Sequence, residues 1–542
     1  MVNVPFRDLA AKGILRDPAP YQLDLDAWSR GSNVRFHGNG AERSPIFRTV
    51  QDTLTDTPAF GITYRPPAGF DTIYFVGAMG QVYSYANSSV GPVTMPSGWT
   101  GVASSQAWTG QFLADVLYLN NPSGVPVCLL PGGSTPAFTY LTGWDSTWRC
   151  RSLRAFGDYA IALNVTKGTT SYPAMVKWSD LTLAGQCPGS WNQNDPTTSA
   201  GENILEGLDT PIIDGAPMQN GLMIYSSNQV WAMSPSGNYE IFTFTRVFGE
   251  GGILAPTCVA ERDGKHYVFG SDDLYVHDGI TKLSLVDKRN KDAIFRNLNR
   301  VNSDLAFVQW MPRNGEVLFA YPSSDPDAAF PQSSLGCNRG FVYSIETDTG
   351  TFVDLPNVTA ATLASVSNAL TYADAAPTVT FSTVGGSYAD QTSGLDRVPV
   401  FTSIAQSGRL TSSRILAYDF FARGSVASPY CAEASPPPLL ERTGIDLDQL
   451  GSDLGTAKQI RRLFPQIVLY GIETSISISV GSSMTPAGPI NWAGPYSFDP
   501  VTQYKVDFRR GGRYLALRFQ AAADVDFALV GYDADITPAG AR

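Results

Sequence analysis

Apolar and polar residues alternate in short runs along most of this chain, and a turn signal cuts off each run. The stretch Glu240–Val286 shows the pattern most cleanly. Phe242, Phe244 and Val247 form one run, and Cys258 with Val259 opens a second that stops at Arg262-Asp263-Gly264. Tyr267 and Phe269 follow, then Leu274 and Tyr275, then a turn at Asp278-Gly279, then Leu283 and Leu285. Period-two alternation between Asp-Gly or Asn-Gly punctuation predicts antiparallel strands joined by tight turns. Four strands in about 40–45 residues is the size of one β-propeller blade. One blade cannot bury its own faces, so siblings are expected.

The siblings follow the same rhythm. GITYRPP, TIYFVGAMG, QVYSYA and PVTMP predict a first blade starting near Pro58. Residues near 99–144 predict a second, and a third begins near Trp148. A fourth runs from Asp214 to Phe244, and Glu240–Val286 supplies the fifth. The sixth ends in a hairpin at Asp348-Thr349-Gly350, and a weaker seventh continues to about Ala405. The insertion GQCPGSWNQNDPTTSAGENILEG is too polar and too rich in Gly and Asn for core, so it is expected as a surface loop. DKRNKDAIFRNLNR is the best helix candidate, with Ile294 and Leu298 on one face. Lys288, Arg289, Lys291, Arg296 and Arg300 make its other faces basic. Either a solvated inter-blade helix or a basic patch aimed at DNA or an acidic partner fits them.

The two ends of the chain differ from the middle. WSRGSNVRFHGNGAERSP alternates around Val34 and Phe36 and then turns at His37-Gly38-Asn39-Gly40. It predicts an extended arm with one small hairpin, anchored by Trp28. Such an arm either closes the first sheet of its own chain or adds a strand to a neighbouring subunit. On the second reading, removal of residues 1–45 leaves a folded propeller that fails to assemble. Near the other end, Pro436, Pro437 and Pro438 stiffen a linker and mark a boundary. Beyond it Ile476, Ile478 and Val480 share one strand face, and Val525, Phe527 and Leu529 share another. YKVDF, the turn RRGGR and YLALRF predict a hairpin with Leu515, Leu517 and Phe519 on one side. The expected fold is all-β: an N-terminal arm over 1–57, a propeller of about six or seven blades over 58–405, and a β-sandwich or platform module over 406–542.

Composition sharpens this picture. Of 542 residues only 16 % are charged, and the 51 glycines and 37 prolines fit many short strands and turns. The net charge of -11 and the pI near 4.9 argue against general attraction to nucleic acid, which needs clustered Lys and Arg. The opening MVNVPFRDLAAKGILRDPAP has no apolar core of signal-peptide length, and no later apolar run approaches the length of a membrane span. A soluble protein made in the cytoplasm is expected. Cys128, Cys150, Cys187, Cys258, Cys337 and Cys431 are widely spaced without a CxxC pair, which favours buried reduced thiols over disulfides or zinc.

Candidate chemistry is sparse. There are three histidines, His37, His266 and His277, and the last two sit in or beside predicted strands as core or rim residues. HExxH, GxSxG and P-loop patterns are absent. GEGGIL at Gly249–Leu254 is followed by Pro256 and a strand rather than a helix, so its glycines serve a sharp step between blades. A propeller glycosidase would draw on scattered carboxylates such as Asp214, Glu250, Asp272 and Asp273, but no SxDxGxxW box accompanies them. No catalytic, cofactor-binding or metal residue is assigned.

Three stretches carry a family resemblance. GILRDPAPYQLDLDAWSRGSNVRF…G…ERSP, VFGEGGILAPTCVAERDGKHYVFGSDDLYVHDG and GRYLALRF…DFALVGYDADITPAG resemble the tail tubular, or nozzle, proteins of short-tailed bacteriophages. The resemblance implies a structural virion protein located in the tail, non-enzymatic and without cofactors. It implies a homo-oligomer of six copies around the DNA exit channel, below the portal and adaptor (head-completion) ring and beside tail fibres or spikes. Viral DNA would pass through without specific binding. An acidic lumen fits that role, because a wall of Asp and Glu repels phosphates over about a Debye length. Candidate interface residues are Trp28, Asn33, Arg35, Phe36 and Arg43 in the arm. Arg509, Arg510, Arg513 and Tyr514 at the predicted C-terminal hairpin form a second set, although a charged turn tip is also simply solvated. The alternatives are a receptor- or glycan-binding propeller, with or without glycan hydrolysis, and a tail-fibre attachment hub.

Overall fold

Local alternation is converted into separate antiparallel sheets. The computed structural model describes residues 2–541 apart from 66–70, 87–88, 102–106, 132–135, 238–239, 366–396, 407–409, 420–430, 432, 448–455, 471–474, 487 and 523–524. Part of the expected seventh blade therefore lies outside the described residues. Five four-stranded sheets follow one another in sequence, each a meander in which neighbouring strands pair antiparallel. Their first strands are Pro58–Tyr64, Thr109–Leu113, Trp148–Phe156, Ile212–Met218 and Val259–Arg262. These strands lie side by side around a common axis, and Phe307–Met311 continues the series.

The ring closes through one long strand, Thr349–Ala364. Its first half pairs with Cys337–Ser344 as the outer strand of the sixth blade. Its second half pairs with Val398–Ser403 as the inner strand of a seventh, and lies against Pro58–Tyr64 of the first. The register shifts near Asn357, whose backbone is left-handed at φ 48°. Arg414–Asp419 adds the third strand, and Ile46–Gln51, from the N-terminal segment, adds the fourth. Among the described residues the strands make seven blades. The limits expected at residues 57 and 405 are corrected here, since blade seven takes strands from beyond both.

The rest of the arm joins the C-terminal module. One platform sheet has the order Val34–His37, Gly40–Arg43, Asp526–Ala541, Thr456–Tyr470, Val506–Gly512, with Val2–Phe6 also paired to Asp526–Ala541. The other has the order Arg30–Ser32, Leu439–Ile445, Tyr514–Gln520, Ile476–Ser483, Asn491–Phe498. The expected hairpin around RRGGR does not form. Val506–Gly512 and Tyr514–Gln520 belong to different sheets, and the chain crosses between them at Arg513. The predicted inward faces do form: Leu515, Leu517, Phe519, Val525, Phe527 and Leu529 are all buried.

One apolar core spans the two parts, running from Phe36, Leu517 and Phe527 through Ile14 and Trp28 to Val268 and Phe319 in the propeller. The helix Lys291–Asn297 forms where predicted, with Ile294 and Leu298 buried. The long insertion runs without regular structure until Gly201–Ile204, but Trp191 within it is buried against Trp144, so it plugs the core as well as covering it. Cys128 and Cys187 form a disulfide, which corrects the expectation of six thiols; the other four cysteines are free and buried. Among the described residues no helix is long and apolar enough to cross a membrane.

Candidate functional site

Around the propeller axis the inner strands supply a buried polar network. Asp214 accepts from Arg154 Nε at 2.7 Å, and Arg154 Nη2 and Ser152 Oγ also bond it. The backbone N–H of Thr257 donates to its other oxygen at 2.9 Å, and Arg154 Nη1 donates to the Gly110 carbonyl at 3.1 Å. Blades two to five are thereby linked. Burial works to raise the Asp214 pKa, but the charge and hydrogen bonds of Arg154 outweigh it and hold the carboxyl below its usual value. A carboxylate saturated in this way is a strut, not a general acid. Beside the axis lies a cavity of about 250 Å³ whose wall includes Phe60, Trp108, Thr257, Asp304 and Leu335. The buried Trp108 indole N–H has no hydrogen-bond partner among the described residues.

The two strand histidines are also satisfied. His266 and His277 are 0 % and 2 % exposed and face Tyr225 of the neighbouring blade. His266 Nε2–H donates to the Pro217 carbonyl at 2.9 Å, and Gly279 N–H donates to His277 Nδ1 at 3.2 Å. These contacts assign the tautomers: Tyr225 O–H donates to His266 Nδ1 at 2.6 Å and accepts from His277 Nε2–H at 2.7 Å. Burial lowers the His266 pKa to about 4. Burial, then the neighbouring His266, lowers that of His277 to about 3. Both rings are neutral and lock blades four and five together.

GEGGIL acts as expected. Gly252 packs on the turn of the preceding blade, where a Cβ would overlap the Ser226 carbonyl, and Ile253 N–H donates to that carbonyl at 3.0 Å. Asp272, Asp273 and Glu250 take no part in the Asp214 hydrogen-bond network among the described residues; Asp273 accepts from Ser284 Oγ at 2.8 Å, and burial raises its pKa. Among the described residues no cluster of His, Cys, Asp and Glu could hold a metal ion.

The arm residues chosen as an interface are internal. Trp28 is 1 % exposed, packs edge-on to Phe519 and donates its indole N–H to the Leu9 carbonyl at 3.0 Å. Asn33 is clamped to Asp354: its Nδ2 donates to Asp354 Oδ2 at 2.8 Å, and Asp354 N–H donates to its Oδ1 at 2.9 Å. Arg35 Nε donates to the buried Glu316 at 2.9 Å, and Phe36 and Arg43 are 2 % exposed. Buried side chains present nothing to a neighbour, so the arm belongs to the core of its own chain.

Around these residues lies a knot that sequence reasoning missed. Arg16 bonds Asp325 at 2.6 Å and Asp327 at 3.2 Å, Arg30 bonds Asp327 at 2.6 Å, and Arg339 bonds Asp354. The signal was present, because Arg339 and Asp354 each sit inside an apolar strand run. A charge in such a place is tolerated only when paired.

The second set is mixed. Arg509 is exposed, Arg510 and Arg513 are half-buried, and Tyr514 is buried against Tyr21. Arg509 and Arg510 lie on Val506–Gly512, the outer strand of one platform sheet, Arg513 lies at the crossing, and Tyr514 opens a central strand of the other sheet.

No protein-family model matches the chain, and no curated protein matches it. Among solved structures it is similar to the β-propeller domain of Myceliophteria thermophila Cps50 (Swd1), at 6 % identity and a TM-score of 0.39 over 69 % of this chain and 100 % of that one. The WD40 β-propeller domain of Doa1 aligns at 10 % identity and a TM-score of 0.35, over 69 % of this chain and 98 % of that one. The computationally designed Ika8 protein aligns at 12 % and 0.35, covering 69 % and 100 %. At such scores the propeller assignment rests on the chain's own strand order.

Proposed function

We propose that this β-propeller protein is a structural, non-enzymatic component of a short-tailed phage tail, forming a ring segment of the DNA-ejection conduit. One observation carries the reading: a single N-terminal segment threads both platform sheets and then supplies the outer strand that closes the propeller. Platform and propeller are thereby joined into one body by strand pairing at both places. A part that must transmit load without hinging needs that construction. The saturation of Asp214, His266 and His277 adds support, since the groups best placed for chemistry are engaged in holding blades together.

Six copies would carry six times the single-chain charge of -11 around the channel, so Asp and Glu line the lumen and basic residues gather at subunit contacts. Gold-labelled antibody against this protein, applied to intact particles of the source phage, tests the reading. Label at the tip of a short tail is the expected result. Unlabelled particles with free protein in the lysate overturn it. The cavity lined by Trp108 then favours a small-ligand or glycan-binding propeller, which a glycan array would detect.

A further inference from the structure

Each platform sheet has one end against the propeller and one end open. Val34–His37 and Arg30–Ser32 lie against the long strand Thr349–Ala364. At the opposite ends, Val506–Gly512 and Asn491–Phe498 are each paired on one side only among the described residues. The two open edges are neighbours, since Arg510 Nη2 donates to the Trp492 carbonyl at 3.3 Å. Unpaired backbone along a sheet edge is a template for an added strand.

The side chains there are unusual for this chain. Arg461, Arg462, Lys505, Arg509, Arg510 and Arg513 gather on adjacent strands. Asp507 is the carboxylate among them that makes ion pairs, to Arg462 at 3.2 Å and Lys505 at 2.7 Å. Among the described residues Arg509 makes no ion pair, and Arg461 bonds Gln459 at 3.4 Å. Arg510 and Arg513 make no ion pair among the described residues; Arg510 bonds the Trp492 carbonyl and Arg513 lies over the Tyr514 ring at 5.4 Å. Nearby, Val501 and Tyr504 are 88 % and 73 % exposed, which gives the surface the Arg and aromatic content of interface centres.

We infer that this open end, centred on Arg509, Arg510 and Arg513, is where one copy of the chain docks on carboxylates of the next copy. Charge complementarity selects the occupant. The cluster is basic in a chain of net charge -11, so the remaining surface is more acidic still and a second copy offers the matching sign. The inference rests on the ring-forming reading above and names the contact that builds the ring.

Light scattering of the full-length protein in low salt tests it, with Arg461→Glu/Arg509→Glu as the probe and Arg461→Lys/Arg509→Lys as the charge-preserving control. Both pairs leave the buried guanidinium groups in place, and an unchanged circular dichroism melt confirms folding. The wild-type and Lys chains are expected to associate, with association weakened about tenfold or more by charge reversal and by added salt. Wild-type protein that stays monomeric, or a Glu variant that assembles as wild type does, overturns the inference. So does a wild-type chain that stays monomeric while binding a labelled DNA duplex through these arginines. Label at the tail tip with normal assembly of the Glu variant would remove this contact while leaving the conduit standing. Absence of label removes the conduit itself.

Discussion

Arginines sit at both ends of the platform, and their fates differ. At the junction, Arg339 and Arg16 are held by Asp354, Asp325 and Asp327 in a site where Arg339 is 1 % exposed. At the open end Arg509 is exposed, and Arg509, Arg510 and Arg513 make no ion pair among the described residues. At the junction the arginine charges brought out of water have met counter-charges, although Arg339 buries an Nε that makes no hydrogen bond among the described residues. The open end carries the same chemistry unfinished. A folded chain tolerates that only where the imbalance is small or a partner completes it.

The largest break in this comparison is removal of residues 1–45. The deletion takes Val2–Phe6, Arg30–Ser32, Val34–His37 and Gly40–Arg43 out of the two platform sheets, along with Trp28 and Arg16. It uncovers the long edge of Asp526–Ala541 and leaves Asp325 without Arg16. The truncated chain is expected to be insoluble, read by sedimentation after expression. A soluble truncated chain with a native near-ultraviolet dichroism spectrum would return the arm to the role of an accessory.

A single side chain sharpens the same contrast. Asp354→Ala leaves the Arg339 guanidinium buried without its main counter-charge and removes the clamp on Asn33. It is expected to lower stability by about 3–5 kcal/mol, measured by denaturant unfolding. Arg509→Ala, on the exposed edge, is expected to stay within about 0.5 kcal/mol of wild type in dilute solution. If the two variants unfold alike, the distinction between a finished and an unfinished end fails.

What was legible in the sequence follows from which signals are local. The strand quartets, the helix around Ile294 and the glycine step at Gly252 were readable, because each depends on residues within a few positions of one another. RRGGR was not, since a charged Gly-rich turn looks the same whether the next strand returns beside the last or crosses to the facing sheet. Thr349–Ala364 serves two blades without any turn signal between them, and the switch is marked only by the left-handed backbone at Asn357. Cys128 and Cys187 meet across 59 residues, a distance over which spacing says nothing. Trp28 was recognised as an anchor, but the sequence did not say to what. Buried aromatics and interface aromatics have the same composition, and only the fold distinguishes them.

The smallest effect separates interior from open end by the variable each senses. The neutral His266 and His277 have pKa values near 4 and 3, below the value near 6.5 of an unfolded chain. Below about pH 6.5 the unfolded chain therefore binds protons that the folded one refuses. The full stability contributed by the neutral rings is present above that pH and is lost as pH falls toward the folded values. Each ring is expected to withdraw roughly 1 kcal/mol by pH 5.5, before carboxylates such as Asp214, with depressed pKa values, begin to protonate. Melting temperature measured from pH 7.5 to 5 should fall in this window. In Tyr225→Phe, which leaves both rings buried but breaks the relay, the chain should be less stable throughout while keeping the same slope. Association through the open end should respond to salt in that range far more than to protons, because arginine does not titrate there. A melting temperature that ignored pH, or an assembly that tracked the histidine window, would show that the two regions are not separate in the way their charges indicate.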